Sequence, residues 1–484
     1  MYSLQITDNH DWKVIKECVL SPDDSDLDNV ISDLEMIANL KIGELKIDDN
    51  PNLLIFPRDL HHHGDEICES HIISMRDNMI STGNIMGFVG VNDTQLDIKS
   101  RFAQKDEEDY FLHYMLQKVF AINLFDIKHT TNEQRVFDFL LYLFPYYLKK
   151  AIAQGLFKKY RRFENNDDNI RGPINISRYI RENIPFRGMV AYTTREHSYD
   201  NEITQLVRHT IEYIRTKQNG TCILNNDSET KESVSQIVMA TQTYNTRERS
   251  RVINQNLRPL RHPYYSEYTP LQKICLQILR HESLKYGHEK DKIHGILFDG
   301  AWLWEEYLNT IFVKYQLGIT HAKNKTGENG INLYENGRKC YYPDFYKRTP
   351  GDEKGEKSFV LDAKYKRLGN SVAVDEQESG DPKNTISIGR DDLFQMITYM
   401  HVLPAIHCAL VYPLECKELS HNTVFKAVPR KLMGLGGNIT GFGIPIPEIL
   451  TKHNYSIFCE SMNSIELSLK GAIEKITFNE NNPN

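Results

Sequence analysis

Two kinds of hydrophobic pattern divide the chain. Near the start, "GNIMGFVGV" (83–91) and "TQLDIKSRF" (94–102) alternate or run apolar on either side of an "NDT" turn, the signature of a β-hairpin. From 106 onward the period changes. "DEEDYFLHYMLQKVFAINLF" and "NEQRVFDFLLYLFPYYLKKAIAQGLFKKYRRF" place apolar residues at helical spacing. "YDNEITQLVRHTIEYIR" predicts a helix opening at Asp200 or Asn201, with Ile203, Leu206, Val207, Thr210 and Ile211 on one face. The polar stretch 220–235 reads as a loop, and 269–284 as a further helix.

After residue 290 the two periods interleave. An amphipathic helix is expected over 297–316, with Leu303, Trp304, Tyr307, Leu308, Ile311 and Phe312 forming one stripe, Glu305 at its edge and Glu306 on the other flank. Strands follow at "KCYYPDFYKR" (339–348) and "KSFVLDAKYKRL" (357–368), then a helix at "GRDDLFQMITYMHVL" (389–403). An apolar, central strand follows at "AIHCALVYP" (405–413). The expected fold class is α/β, in the sense of an α+β multidomain chain. It comprises a β-rich domain over 1–104, a helical middle region over 105–290, and a C-terminal domain over 291–484 with an α-β-β-α-β core.

Strand alternation turns this order into chemistry. Side chains two apart on a strand share a face, so Asp362 and Lys364 point the same way while Leu361 and Ala363 point into the other layer. If the two strands pair as a hairpin, Asp344 lies opposite Asp362. Two carboxylates held close repel unless a cation sits between them. A hard divalent ion such as Mg²⁺ (or Mn²⁺) suits oxygen ligands, with the backbone carbonyl of Ala363 as one more. Lys364 would then stand beside an attacking water and offset charge on a phosphate. The competing reading is a hairpin with exposed Asp–Lys pairs that contribute little.

Composition narrows the rest. The chain has 484 residues, 40% hydrophobic and 25% charged, which is globular and long enough for two to four domains. Its net charge of −7 means that nucleic acid, if bound, is met through a local patch or a partner's surface. One candidate patch is "KKYRRF", with Lys158, Lys159, Arg161 and Arg162 beside aromatics; a solvated basic helix end explains it equally well. The eight cysteines form no C-x-x-C pair, which argues against a disulfide scaffold or a zinc ribbon. "HHHGDEICESH" (61–71) lacks metal-ligand spacing and reads as a solvated loop; His197 and His209 read as structural. No apolar run approaches the ~20 residues of a membrane helix. The N-terminus has no signal-peptide pattern, so a soluble cytoplasmic chain is expected. "GDEKGEKS" (351–358) fails the phosphate-loop spacing, since Glu356 separates Gly355 from Lys357. No nucleotide site is expected on this chain.

"PD" at Pro343–Asp344 followed by "DAK" at Asp362–Lys364 resembles the PD-(D/E)xK nuclease signature, and "QMITY" (395–399) resembles the Q-x-x-x-Y element of its RecB-like members. More specifically, the chain resembles the McrC family, the nuclease subunit of McrBC-type modification-dependent restriction systems. "GFVGV…LDIKSRF", "IRGPINISRYIRENIP", "REHSYDNEITQLVRHTIEYI" and "LFDGAWLWEEYL" carry that likeness in order before "PD…LDAKYK…LFQMITYM". The resemblance implies metal ligands at Asp344 and Asp362, a catalytic lysine at Lys364, and a helix acid at Glu305 that helps bind metal. It implies supporting or backbone-contacting roles for Gln395 and Tyr399, and phosphate contacts at Lys366 and Arg367, which a solvated strand end explains equally well. It further implies endonuclease activity on double-stranded, methylated (5-methylcytosine) DNA in defence. The implied partner is a McrB-like AAA+ GTPase, forming hexameric rings, that the chain stimulates through its N-terminal region. Two alternatives stand beside it: a non-catalytic stalk and GTPase activator of the same complex, and a RecB-like repair nuclease without a GTPase. The long insert "RTPGDEKGEK" and the large middle region depart from a minimal family member.

Overall fold

The computed structural model describes residues 2–19, 27–44, 53–57, 69–103, 109–120, 132–186, 188–217, 220–225, 227–284, 293–323, 329–337, 340–349, 351, 358–366, 388–415, 424–426, 429–433, 437–448 and 455–478. The histidine-rich stretch 61–68, most of the 348–357 insert and Arg367 lie outside the described residues. Contacts divide the chain into two units, Met1–Leu124 with Glu289–Asn484, and Phe125–His288.

The first unit holds two main sheets. In one, β1 (Tyr2–Thr7), β2 (Leu53–Phe56), β3 (Ile85–Val91) and β4 (Thr94–Lys99) are joined by a distant strand, β5 (His294–Asp299). The spatial order is β1-β4-β3-β5-β2. β3 and β4 form the expected hairpin, with Val91 opposite Thr94. Leu4, Ile6, Leu53, Ile55, Val89, Leu96, Ile98 and Leu297 close its core. β5 crosses β3 so tightly that glycine is required on both. A Cβ on Gly87 (φ +127°) would stand 2.0 Å from the Ile296 carbonyl oxygen, and one on Gly295 (φ +151°) 2.3 Å from that of Phe88.

The strand β5 ends at Asp299, whose carboxylate caps the next helix by accepting the Ala301 amide at 2.9 Å. The expected 297–316 helix therefore begins at Gly300 and ends at Lys314. Call it αA; the expected stripe is its buried face. It covers one side of the second sheet: β6 (Thr320–His321), β7 (Phe345–Lys347), β8 (Phe359–Ala363), β9 (His407–Glu415) and β10 (Asn438–Ile446), in that order, with Phe425–Lys426 beyond β10. The helix αB (Arg390–Val402) covers the other side, packing Met396, Tyr399 and Met400 on Val360, Cys408, Leu410 and Tyr412. β7 and β8 are antiparallel. β8, β9 and β10 are parallel, as expected for strands buried on both faces.

Three expectations differ. Within 220–235, residues 220–224 and 228–235 belong to the helices Gly220–Leu224 and Ser228–Ala240 instead of a loop. Asp227 caps the second helix through the Thr230 amide at 2.7 Å, and the helix buries two small polar residues, Thr230 and Ser233, together with Val234 and Ile237. The basic "KKYRRF" does not end a helix. It opens the strand Lys159–Asp167, which pairs with Val190–Ser198 over nine residues. The division at 104/105 and 290/291 is not the one the contacts draw, because β5 completes the N-terminal sheet. The helix Tyr110–Phe120, expected in the middle region, packs in the first unit instead, with the Tyr114 hydroxyl donating to buried Glu466 at 2.7 Å.

Gly295→Ala should lower the folding stability by at least ~2 kcal/mol, because the backbone must both strain and move. A drop in the thermal midpoint of purified variant against parent measures it, and an unchanged midpoint would refute the tight crossing.

Candidate active site

The β7–β8 pairing sets the centre. Phe345 faces Leu361 and Tyr346 faces Val360, so one step further along the ladder Asp344 meets Asp362. Pro343 precedes the strand, and the Asp344 carbonyl is anchored by the Ala322 amide at 3.1 Å. Asp344 Oδ2 accepts the Ala363 amide at 2.7 Å, which ties the carboxylate to the opposite strand. Asp362 is 1% exposed, and the two carboxyls are close enough to shift each other's titration.

Burial, then Asp362, then Glu305 push the Asp344 carboxyl well above the usual range; the Ala363 amide and Lys364 pull against them. Burial also raises Asp362, as does Asp392, while Lys364 opposes. Lys364 Nζ lies 2.7 Å from Asp362 Oδ2 and 3.5 Å from Asp392 Oδ1, and donates to Gln395 Oε1 at 2.9 Å. Burial disfavours its charge, but Asp362, Asp344 and Asp392 outweigh that and raise its pKa, so it stays an ammonium. Gln395 in turn donates to the Tyr399 hydroxyl at 3.0 Å. Burial pushes that hydroxyl up to about 12, so it stays protonated.

The structure thus brings Asp344, Asp362, Lys364, Gln395 and Tyr399 together. Lys366 stands at the edge, its ammonium 3.1 Å from Asp392 Oδ1. Glu305 belongs to αA, close enough to raise Asp344 yet turned to His321 Nε2 at 2.6 Å. Lys158, Lys159, Arg161 and Arg162 belong to the second unit.

Two residues escaped the sequence reading. Asp392 lies three before Gln395 on αB, a spacing that shares a helix face and could have revealed it. His321 sits on a strand of two residues, too short for any periodic signal. It stacks on Phe345 with ring centroids 4.8 Å apart, and so braces Glu305 against the strand that follows Asp344.

The donor set fits a divalent ion. Two carboxylates side by side are the arrangement that a cation relieves, and Asp362 Oδ2 is a buried oxygen with no hydrogen bond of good geometry. Among the described residues no three His, Cys, Asp or Glu side chains converge into a cage. An ion here would keep open positions for water or phosphate, as Mg²⁺ does.

A buried carboxylate pair and a lysine on a mixed sheet flanked by helices define the class, a mixed α/β chain with an acid–lysine centre. The family model described as McrBC 5-methylcytosine restriction system component matches residues 80–413. That is more than half of the chain, and the protein belongs to this family. Among solved structures, it is similar to a half-complex of Thermococcus gammatolerans McrB AAA+ hexamers with bound McrC. Identity there is 14%, covering 97% of this chain and 100% of that one, at a TM-score of 0.43. A second T. gammatolerans McrBC complex is matched at 15% identity over 65% and 88%, at a TM-score of 0.31. At such scores neither likeness locates a residue of this chain. No curated protein matches. Among the described residues no helix is long and apolar enough to cross a membrane.

The raised carboxyls make a pH prediction. Their folded pKa values exceed the unfolded 3.8, so this pair's contribution is most favourable at low pH and is lost as pH rises past that value. In chelator, Asp344→Asn should gain thermal stability relative to parent between ~pH 5 and ~pH 8. A constant difference across that range would count against the coupling.

Proposed function

We propose that this chain is the endonuclease subunit of a McrBC-type restriction system, hydrolysing phosphodiester bonds of methylated double-stranded DNA through a PD-(D/E)xK core. The observation that carries it is the Asp344–Asp362 pair with Lys364 held beside it at 2.7 Å. Asp344, Asp362 and the Ala363 carbonyl would hold Mg²⁺ or Mn²⁺, with Glu305 contributing through water. When bound, the ion lowers the pKa of water and stabilises charge on the phosphate.

The chain's own groups supply the rest. Lys364, aimed by Gln395, presents a fixed ammonium to the attacking water and to the negative charge that grows on phosphorus. The water oxygen bonds phosphorus, one P–O ester bond breaks, and the departing oxygen takes up a proton. Gln395 is itself fixed by Tyr399, whose hydroxyl reaches toward the Tyr342 carbonyl at 3.5 Å. Lys366 would meet a neighbouring phosphate once it leaves Asp392.

The family comprises components of a restriction system, and "GDEKGEKS" lacks phosphate-loop spacing. GTP hydrolysis and translocation therefore fall to a McrB-like AAA+ partner, which this chain would stimulate. The Thermococcus assembly joins McrB AAA+ hexamers with McrC, and a complex of that kind is proposed here.

With the partner GTPase present, Lys364→Ala and Asp362→Ala should each cut methylated DNA at least ~10²-fold more slowly, while GTP hydrolysis and assembly persist. Cleavage at the parent rate, or loss of assembly in both, would refute the catalytic assignment. Mn²⁺ should raise the thermal midpoint of the parent but not of Asp362→Asn, a readout independent of turnover. His321→Ala should weaken that metal-dependent rise, and cleavage with it, by about tenfold, with partial recovery in His321→Gln. An unchanged metal response in His321→Ala would deny His321 a part in placing Glu305.

A further inference from the structure

The hairpin of the second unit sorts its charges by face. Consecutive strand residues point to opposite sides, so Lys159 and Arg161 share one face and Tyr160 and Arg162 the other. On the first face both cations are neutralised. Lys159 pairs with Glu202, and Arg161 with the Asp200 carboxylate at 3.5 Å and its carbonyl at 3.0 Å.

The second face is different. Arg162 stands directly opposite Arg195, and Tyr160 directly opposite His197. Both arginines are exposed, and among the described residues neither pairs with a carboxylate. Like charges directly across a strand pair are destabilising, and among the described residues this cost is met by the Arg195 guanidinium lying 5.8 Å from the Tyr160 ring centroid and by no carboxylate. The rings of Tyr160 and His197 stack at 4.6 Å, with Tyr160 61% exposed. Continuing the register past the ladder brings Lys158 to Tyr199, where the ammonium lies 4.3 Å from the ring centroid. One face therefore carries three cross-strand pairs in which cations and rings are interleaved: Lys158 with Tyr199, Tyr160 with His197, and Arg162 with Arg195. The nearest acid along that face, Glu164, is drawn toward Arg178 at 3.5 Å.

We propose that this face binds an unpaired nucleic-acid strand, its phosphates on Arg162, Arg195 and Lys158 and its bases stacked on Tyr160 and Tyr199. Interleaving is what favours a nucleic acid over an acidic protein segment. Cations alone would serve either, but exposed rings set between them match the alternation of backbone charge and base. The surface goes beyond the hydrolytic centre and does not depend on it. It also answers the net charge of −7, since only a locally unneutralised patch can hold a polyanion on such a chain.

The test measures binding by the full chain in chelator, so that failure of the metal-centre reading leaves it untouched. Fluorescence anisotropy would follow a labelled single strand, the corresponding duplex and a polyglutamate peptide. Arg162→Gln/Arg195→Gln should weaken single-strand binding about tenfold at ~0.1 M salt and reduce the salt slope by about 1.4. Its thermal midpoint should hold or rise, because the opposed charges are gone. Tyr160→Ala should weaken the single strand and spare the duplex. Lys159→Gln, on the neutralised face, should change neither. Equal losses from Lys159→Gln and the double variant would overturn the proposal. So would a loss confined to polyglutamate, which would make the partner an acidic protein.

Discussion

Two carboxylates that would rather be apart organise the first unit. Asp344 and Asp362 are brought together because Phe345 and Leu361 must pair in the sheet, and the ladder has no freedom to separate the next two residues. The surroundings offset the repulsion only in part. The Ala363 amide and the Lys364 ammonium reach the pair, yet both carboxyls remain raised. A fold optimised for stability alone would replace one acid, since removing a member of a buried like-charge pair relieves its cost. Retaining both, with an ammonium held by a glutamine, is the feature on which the proposed metal site rests.

The neighbouring sheet steadies this arrangement. Tyr365 follows Lys364 directly, and its hydroxyl lies 2.9 Å from Ser100 Oγ and donates toward Met86 Sδ at 3.2 Å. Arg101 lies over its ring at 4.8 Å and is paired with buried Asp8. The residue after the lysine is therefore fastened to the strands of the N-terminal sheet. β5 makes that sheet and αA a single continuous segment, because Asp299 ends one and caps the other. The N-terminal sheet and the acid–lysine centre thus form one unit, which the division expected from composition had separated.

What was legible in the residues depended on periodicity. Asp362 and Lys364 could be placed on one face because strand alternation is strict, and αA's stripe because six apolar positions agree with a helical turn. A helix start at Asp200 or Asn201 was legible, and Asn201 is the cap, forming a full capping box with Thr204. Where local pattern was weak, tertiary pairing decided. "KKYRRF" carries no strand signal by itself; from Lys159 on it becomes strand because Val190–Ser198 pairs with all nine residues of Lys159–Asp167. The 228–240 helix hides its apolar face at only a few positions, so polarity was mistaken for a loop. His321 had no signal, since its importance comes entirely from lying between Glu305 and Phe345.

The two charged features of the chain are physically complementary. At the centre, carboxylates outnumber cations: Asp344, Asp362, Asp392 and Glu305 stand around Lys364 and Lys366. An excess of carboxylates disfavours an anion such as a phosphodiester, and the divalent ion of the proposed mechanism would reverse that balance. On one face of the hairpin Arg162 and Arg195 stand opposite each other with no carboxylate partner among the described residues, so the proposed attraction of a strand does not depend on the ionic state of the centre. Under the two proposals, a chain that is acidic overall would hold nucleic acid on the hairpin and hydrolyse it only with a metal at the centre. The charge balance that the proposed grip and the proposed hydrolysis each require follows from which charges each set of strands leaves unpaired.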